Sequence, residues 1–232
     1  MSKILFFMLA LFITNVSASE ADIKSALQKK IPAGIQIIQI NKSPVPGLYE
    51  VVTQEHIFYT DEKTTVLIDG AIFDLKTMRN VTDERSRKFY ALDFNKLPLE
   101  LAIKKIKGKG ERKIAIFSDP NCGFCKKLEQ ELKLIDNVTI YQFLYPIFPG
   151  SDVKVSGVLC SKDPVKAWDD LMQNGVNPPS GSCETGTEKV MALGRKLKVN
   201  GTPALIFADG TINPGYMPAA ELEKALTSTS SH

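Results

Sequence analysis

Two cysteines, Cys122 and Cys125, stand where an apolar run gives way to a helical stripe, and that junction constrains the chain more than any other feature. The run Lys113 to Phe117 (KIAIF) has the length and composition of a buried strand. After it, Cys125, Leu128, Leu132 and Ile135 recur at +3, +4 and +3, which is one face of a helix. The chain is therefore expected to pass from a strand through Asp119-Pro120-Asn121-Cys122 into a helix whose first turn holds both sulfurs. A helix N-terminus has unpaired N–H groups and a partial positive charge, so it favours an anion. A thiolate at Cys122 is such an anion, and the thiolate is the nucleophilic form of cysteine. Cys125 falls on the apolar face, where it can attack a mixed disulfide formed at Cys122. The pattern points to dithiol redox chemistry.

Other uses of the same spacing fit less well. A zinc site needs four ligands, commonly a second close pair. Cys160 and Cys183 are far from each other and from the motif, and the two histidines, His56 and His232, are not near it. Haem attachment needs a histidine after the second cysteine, where Lys126 stands. No metal or organic cofactor is expected. The even cysteine count allows the pairs Cys122 with Cys125 and Cys160 with Cys183. The second pair is read as structural, closing a loop worth roughly 3 kcal/mol in the chain-entropy model; free thiols or a second redox site remain alternatives. A formal net charge of +3, from 29 Lys and Arg against 26 Asp and Glu, gives no reason to expect a nucleic-acid partner.

Residues 1–18 read as a cleavable secretory signal peptide: Lys3, an apolar run from Ile4 to Ile13, and small residues ending at Ala18. The apolar run is too short to span a bilayer. Export agrees with cysteines used as disulfides. Next, residues 19–80 read as a small module: a helix over 20–30, then short β-rich segments at 35–40, 48–53, 57–60, 65–69 and 71–75. A unit this small is marginal alone and gains stability by pairing with a second copy, for which Thr65 to Asp69 offers an edge strand. Residues 81–110 read as a linker helix and a hinge, with the lysines of Lys104 to Gly110 solvated. Residues 111–232 read as a second domain. It comprises the strand, the cysteine helix, a strand over 138–144, a mostly helical stretch over 150–197 with a loop at 177–182, a strand over 204–208, a hairpin at Asp209-Gly210, and a helix from Pro218 to Leu226. The fold class is α+β.

This order resembles the thioredoxin fold with a helical insertion. The whole pattern of leader, β-rich module, linker helix and Cys-Gly-Phe-Cys domain resembles the periplasmic disulfide isomerases of the DsbC type, with DsbG-type relatives next. The most specific residues are Cys122-Gly123-Phe124-Cys125, Gly201-Thr202-Pro203-Ala204, the Pro214-Gly215-Tyr216 turn and the Cys160/Cys183 pair. The middle dipeptide of the DsbC type is usually Gly-Tyr; Phe124 departs by one hydroxyl, which bears on redox tuning. The resemblance implies a periplasmic homodimer formed through the N-terminal module, with two redox sites facing an apolar cleft. It implies Cys122 and Cys125 as the catalytic pair, and Gly123, Phe124, Thr202 and Pro203 at the client-binding surface. Pro203 is then cis beside Cys122, and the Thr202 backbone can pair with an extended client strand. Thioredoxin itself carries a buried Asp six residues before its first cysteine; here that position is Ile116. Proton handling for Cys125 must come from elsewhere. Asp119, three residues before Cys122, is read as a cap or a solvated residue, with a catalytic role as the lesser alternative.

The function implied is rearrangement of wrong disulfides in misfolded exported proteins by thiol–disulfide exchange. Chaperone-like client binding accompanies it, and a membrane protein of the DsbD type supplies reductant. Two alternatives stand: a net dithiol oxidase, and a chaperone or binding module whose cysteines are incidental.

Overall fold

The computed structural model describes residues 19–229. The expected leader, 1–18, lies outside the described residues. The chain divides into two compact units, with the boundary between Ser86 and Arg87.

In the first unit, helix α1 (Glu20–Gln28) starts at a capping box. The Ser19 hydroxyl accepts from Asp22 N–H, and the Asp22 carboxylate accepts from Ser19 N–H. Its apolar face, Ile23 and Leu27, packs on Ile37, Ile40, Tyr49 and Val51 of an antiparallel sheet. The sheet has the order β1 (Ile37–Lys42), β2 (Leu48–Thr53), β3 (Ile57–Asp61), β4 (Leu67–Ile68). Glu50 is buried on β2 because Arg85 clamps it through two hydrogen bonds, at 2.8 and 3.0 Å, while Asn41 adds a third at 2.8 Å. The segment expected over 71–75 does not join this sheet. It forms a separate two-stranded ladder, β5 (Phe73–Asp74) with β6 (Arg79–Asn80). Helix α2 (Val81–Phe89) follows, and the unit boundary falls within it.

The stretch expected as linker helix and hinge over 81–110 is mostly something else. After α2 come two 3-10 turns, Phe94–Lys96 and Leu99–Leu101, and then strand β7 (Ile103–Lys107). Pro98 breaks the helical path, and Phe94 and Leu97 are buried in the second unit's core. The lysines are not simply solvated. Lys105 and Lys107 lie on one face of β7; Lys105 pairs with Asp169 at 2.6 Å, and Lys107 donates to carbonyls at the end of helix α3 (Gly123–Leu132), Leu132 and Lys133 among them. The second unit therefore starts well before 111.

Its sheet has the order β11 (Ile212–Pro214), β10 (Ala204–Phe207), β8 (Arg112–Ser118), β9 (Val138–Leu144), β7. Only β8 and β9 run parallel, as a β-α-β unit around α3 requires; the other pairings are antiparallel. Strand alternation sorts the core. Ile114 and Ile116 face Leu128 and Leu132 of α3 and Leu222 and Leu226 of helix α7 (Ala219–Thr229). Ala115 and Phe117 face Tyr145, Phe143 and Val190. Burying a leucine such as Leu128 contributes about 2 kcal/mol. The helical insertion is α4 (Ser151–Leu159) and α5 (Pro164–Asn174), followed by α6 (Thr187–Lys196); a disulfide joins Cys160, at the end of α4, to Cys183, in the loop between α5 and α6.

Candidate active site

The central strand β8 delivers the chain to Asp119-Pro120-Asn121, and Cys122 becomes the N-cap of α3 with an extended backbone. Its sulfur takes the place a serine or aspartate oxygen usually fills: Cys125 N–H donates to Cys122 Sγ at 3.4 Å. The sulfur thus sits in the field of the helix N-terminus. On its other side the Cys122 thiol donates to the Thr202 carbonyl at 3.2 Å. Pairing of β10 with β8 brings that carbonyl there, since Ala204 lies opposite Phe117. The Thr202–Pro203 bond is cis. Cys122 is only 5 % exposed, less open than a freely accessible nucleophile, and the Thr202 carbonyl is part of what covers it.

Cys125 is wholly buried in a cluster with Leu144, Val155, Val158, Trp168, Leu171 and Met172. Burial pushes its thiol up to about 12, against hydrogen bonds from Ser118 and the Asp119 backbone that act the other way. Both thiols are free in this structure.

Asp119 neither caps the helix nor faces solvent. It is fully buried, and its carboxylate accepts from Asn121 N–H (2.7 Å), Ile147 N–H (2.7 Å), Phe148 N–H (3.0 Å) and the Ser151 hydroxyl (2.6 Å). Asn121 adds a bond to the Pro149 carbonyl at 3.0 Å and accepts from Lys154 at 2.7 Å. The cysteine loop is therefore bolted to the loop after β9. That loop carries Ile147 and Phe148, both exposed.

Phe124 is 63 % exposed, with its ring 6.4 Å from that of Tyr216. Tyr216 is itself fixed: its hydroxyl donates to Glu131 at 2.6 Å, and Lys127 lies 4.4 Å over its ring. The Glu131 hydrogen bond and then burial raise the Tyr216 hydroxyl to about 12. A side chain at Gly123 would meet nothing within 4 Å, so this face of the motif is open. The structure thus sets Cys122 against the Thr202 carbonyl, with Pro203 buried next to Thr202, Gly123 and Phe124 exposed at the start of α3, and Cys125 buried.

Sequence reasoning passed over two residues beside this site. Glu129 lies one helical turn after Cys125, and Gln142 lies inside the apolar strand β9; both are buried. The signal was available: a carboxylate at i+4 from Cys125 falls on the same face as Leu128 and Leu132, and one amide interrupts an otherwise apolar β9 face.

Comparison with known proteins gives concordant matches to both units. Residues 99–230 match the model of a thioredoxin-like domain, and residues 14–83 that of the disulfide bond isomerase protein N-terminal domain. The "Probable thiol:disulfide interchange protein DsbC" of Bordetella parapertussis is 44 % identical over 194 residues, covering 83 % of this chain and 69 % of its own. The thiol:disulfide interchange protein DsbC of Escherichia coli K12 is 30 % identical over 229 residues, covering 96 % of this chain and 93 % of its own. Among solved structures, a disulfide interchange protein from Neisseria gonorrhoeae superposes with a TM-score of 0.56 at 38 % identity, covering 59 % of this chain and 100 % of that one.

Proposed function

The chain belongs to the DsbC family of thiol:disulfide interchange proteins, and from that premise we propose that the Cys122–Cys125 pair carries its disulfide isomerase chemistry on misfolded exported proteins. The observation that carries this is the placement of one sulfur as the cap of a helix N-terminus, under a backbone carbonyl, with a second thiol sealed behind it.

Cys122 attacks a wrong disulfide in a client and forms a mixed disulfide; the released client thiolate leaves to attack elsewhere. When a different client thiolate, freed by that second attack, then attacks the client sulfur of the mixed disulfide, Cys122 leaves as a thiolate and the client keeps a rearranged disulfide. When it does not, Cys125 attacks Cys122, and the client leaves reduced. The oxidised pair is then restored by an external dithiol reductant, for which a membrane protein of the DsbD type is our reading. Phe124, Ile147 and Phe148 supply an apolar rim for unfolded chains, and the Thr202 carbonyl supplies an acceptor for an extended client backbone beside Pro203.

Two further readings complete the proposal. The sheet edge at β4, with Val66, Leu67 and Ile68 exposed, pairs with a second copy to make a homodimer; light scattering that finds Leu67→Asp and wild type at the same mass would refute this. The protein works in the periplasm, in keeping with the apolar leader pattern and the Cys160–Cys183 disulfide.

Reactivation of a scrambled multi-disulfide substrate tests the cycle. Wild type should restore activity, Cys122→Ala should restore none, and Cys125→Ala should restore part. Rapid oxidation of a reduced peptide without reshuffling would make the protein a net oxidase. Suppressed aggregation that survives loss of both cysteines, with no reshuffling, would make it a binding module.

A further inference from the structure

Cys125 can resolve a mixed disulfide only after losing its proton, and its burial makes that loss hard. The Asp119 carboxylate is committed to four hydrogen bonds, and Ile116 has no group to offer. One turn along α3, Glu129 projects to the same face as Cys125. It is 4 % exposed, and its Oε1 accepts from Trp168 Nε1 at 2.8 Å. Trp168 belongs to the cluster that encloses both cysteines.

A second, independent feature lies on the strand beneath. Gln142 shares a face of β9 with Ile140, which packs on Leu128 and Leu132, and with Leu144, which packs on Cys125. It is 3 % exposed, and its Nε2 has no hydrogen-bond partner among the described residues. A buried donor left so is costly, and a bound water is the partner that would satisfy it. Beside Glu129 a cavity of about 230 Å³ opens, lined also by Lys105, Lys107, Lys133, Asp169 and Gln173.

These charged groups face Glu129 from β7, α3 and α5. Burial raises the Glu129 carboxyl to about 7; the Trp168 N–H, Lys105 and Lys133 act to lower it, and Asp169 to raise it. Such a group changes protonation state where the protein works.

We propose, building on the exchange cycle above, that Glu129 accepts the Cys125 proton across one water held by the Gln142 amide, and returns it to solvent through the cavity beside Lys105 and Asp169. In that step the Cys125 thiol proton moves to the Glu129 carboxylate. Cys125 Sγ bonds to Cys122 Sγ, and the bond from Cys122 Sγ to the client sulfur breaks. The client sulfur leaves as a thiolate and takes a proton from solvent; over the two attacks together the dithiol is oxidised by two electrons and the client disulfide reduced by two. Glu129 is a proton-transfer residue that acts through Cys125 and does not touch the client.

Ellman's reagent separates the two sulfurs. Mixed with reduced protein, it releases one thionitrobenzoate when Cys122 attacks, and a second when Cys125 attacks the Cys122 adduct. In wild type the second phase should accelerate with pH through an inflection near 7, as the Glu129 carboxyl ionises and becomes able to accept. Glu129→Gln should leave the first phase intact, slow the second by about a hundredfold, and abolish the inflection. Glu129→Asp, which still ionises, should recover part of the rate and keep an inflection. A second phase with the same pH profile in Glu129→Gln as in wild type overturns the assignment. So does a wild-type profile with no inflection between about pH 6 and 8, whether or not any variant folds. Loss of the first phase would instead count against Cys122 as the attacking sulfur.

Discussion

The Glu129 carboxyl ties proton transfer to stability, and its stability signature can be read without any client. In an unfolded chain a glutamate ionises near 4.5; in this fold burial moves Glu129 to about 7. The folded state therefore holds a proton that the unfolded state has lost between those values. The stability this provides is fully present below 4.5 and is lost as pH rises through 7. At about 1.36 kcal/mol per tenfold change in proton concentration, the interval amounts to ~3 kcal/mol. Glutamine keeps the shape and can still accept the Trp168 N–H, but it does not ionise. Its own packing cost is the same at every pH, so the slope is the quantity to measure. Urea unfolding of wild type and Glu129→Gln between pH 4 and 8 can be followed by fluorescence of Trp168, the one tryptophan in the chain, which reports on the second unit. Relative to the variant, wild type should lose about 3 kcal/mol across that range and then level off. A difference that stays flat, or that grows in the opposite direction, would falsify the placement of an ionisable, desolvated carboxyl at this point.

Removing the Cys160–Cys183 bridge by a double Cys→Ala change should lower stability of the second unit by about 3 kcal/mol, since it releases a loop of two dozen or so residues in the unfolded chain; an unchanged urea midpoint would contradict this. Asp119→Ala leaves the Asn121, Ile147 and Phe148 amides without their acceptor and should cost about 3 kcal/mol, together with a loss of ordered amide exchange protection at 147–148. In the first unit, Arg85→Ala strands the buried Glu50 and should cost about 3 kcal/mol; slow hydrogen exchange persisting in β2 and β3 at the wild-type level would refute it. Gly210→Ala should destabilise by at least about 2 kcal/mol, because its φ is +82° and a Cβ there would overlap the Leu92 backbone; a wild-type melting temperature would show that the turn relaxes.

Much of this architecture was legible from residue pattern. The strand–cysteine–helix junction carries its own period change at Cys122, and the β9 run is apolar enough to be read as a central strand. What misled was the stretch around Lys104 to Lys107. A lysine-rich strand looks like solvent-facing linker in sequence, because the groups that hold Lys105 and Lys107 come from far along the chain: Asp169 and the last carbonyls of α3. The same limit applies to Asp119. Its four partners include residues near 147 to 151, so local spacing leaves only a cap or a surface charge to choose from. Glu129 and Gln142 were visible as polar letters in apolar faces, but burial of a charge is a tertiary property that no local window records.

The bond from the Cys122 thiol to the Thr202 carbonyl has a consequence for the order of events. In the proposed cycle a client strand uses that carbonyl as an acceptor, yet in the reduced protein the thiol proton already occupies it. Once Cys122 gives up that proton and joins the client through sulfur, it has nothing left to donate, and the carbonyl is released to the client backbone. Loss of one proton thus arms the nucleophile and vacates its docking point together. In the proposed cycle the carbonyl is therefore open to the client while it is covalently held; on the isomerising branch it closes again only once the departing Cys122 thiolate picks up a proton, and on the branch resolved by Cys125 it stays open, because Cys122 then sits in a disulfide.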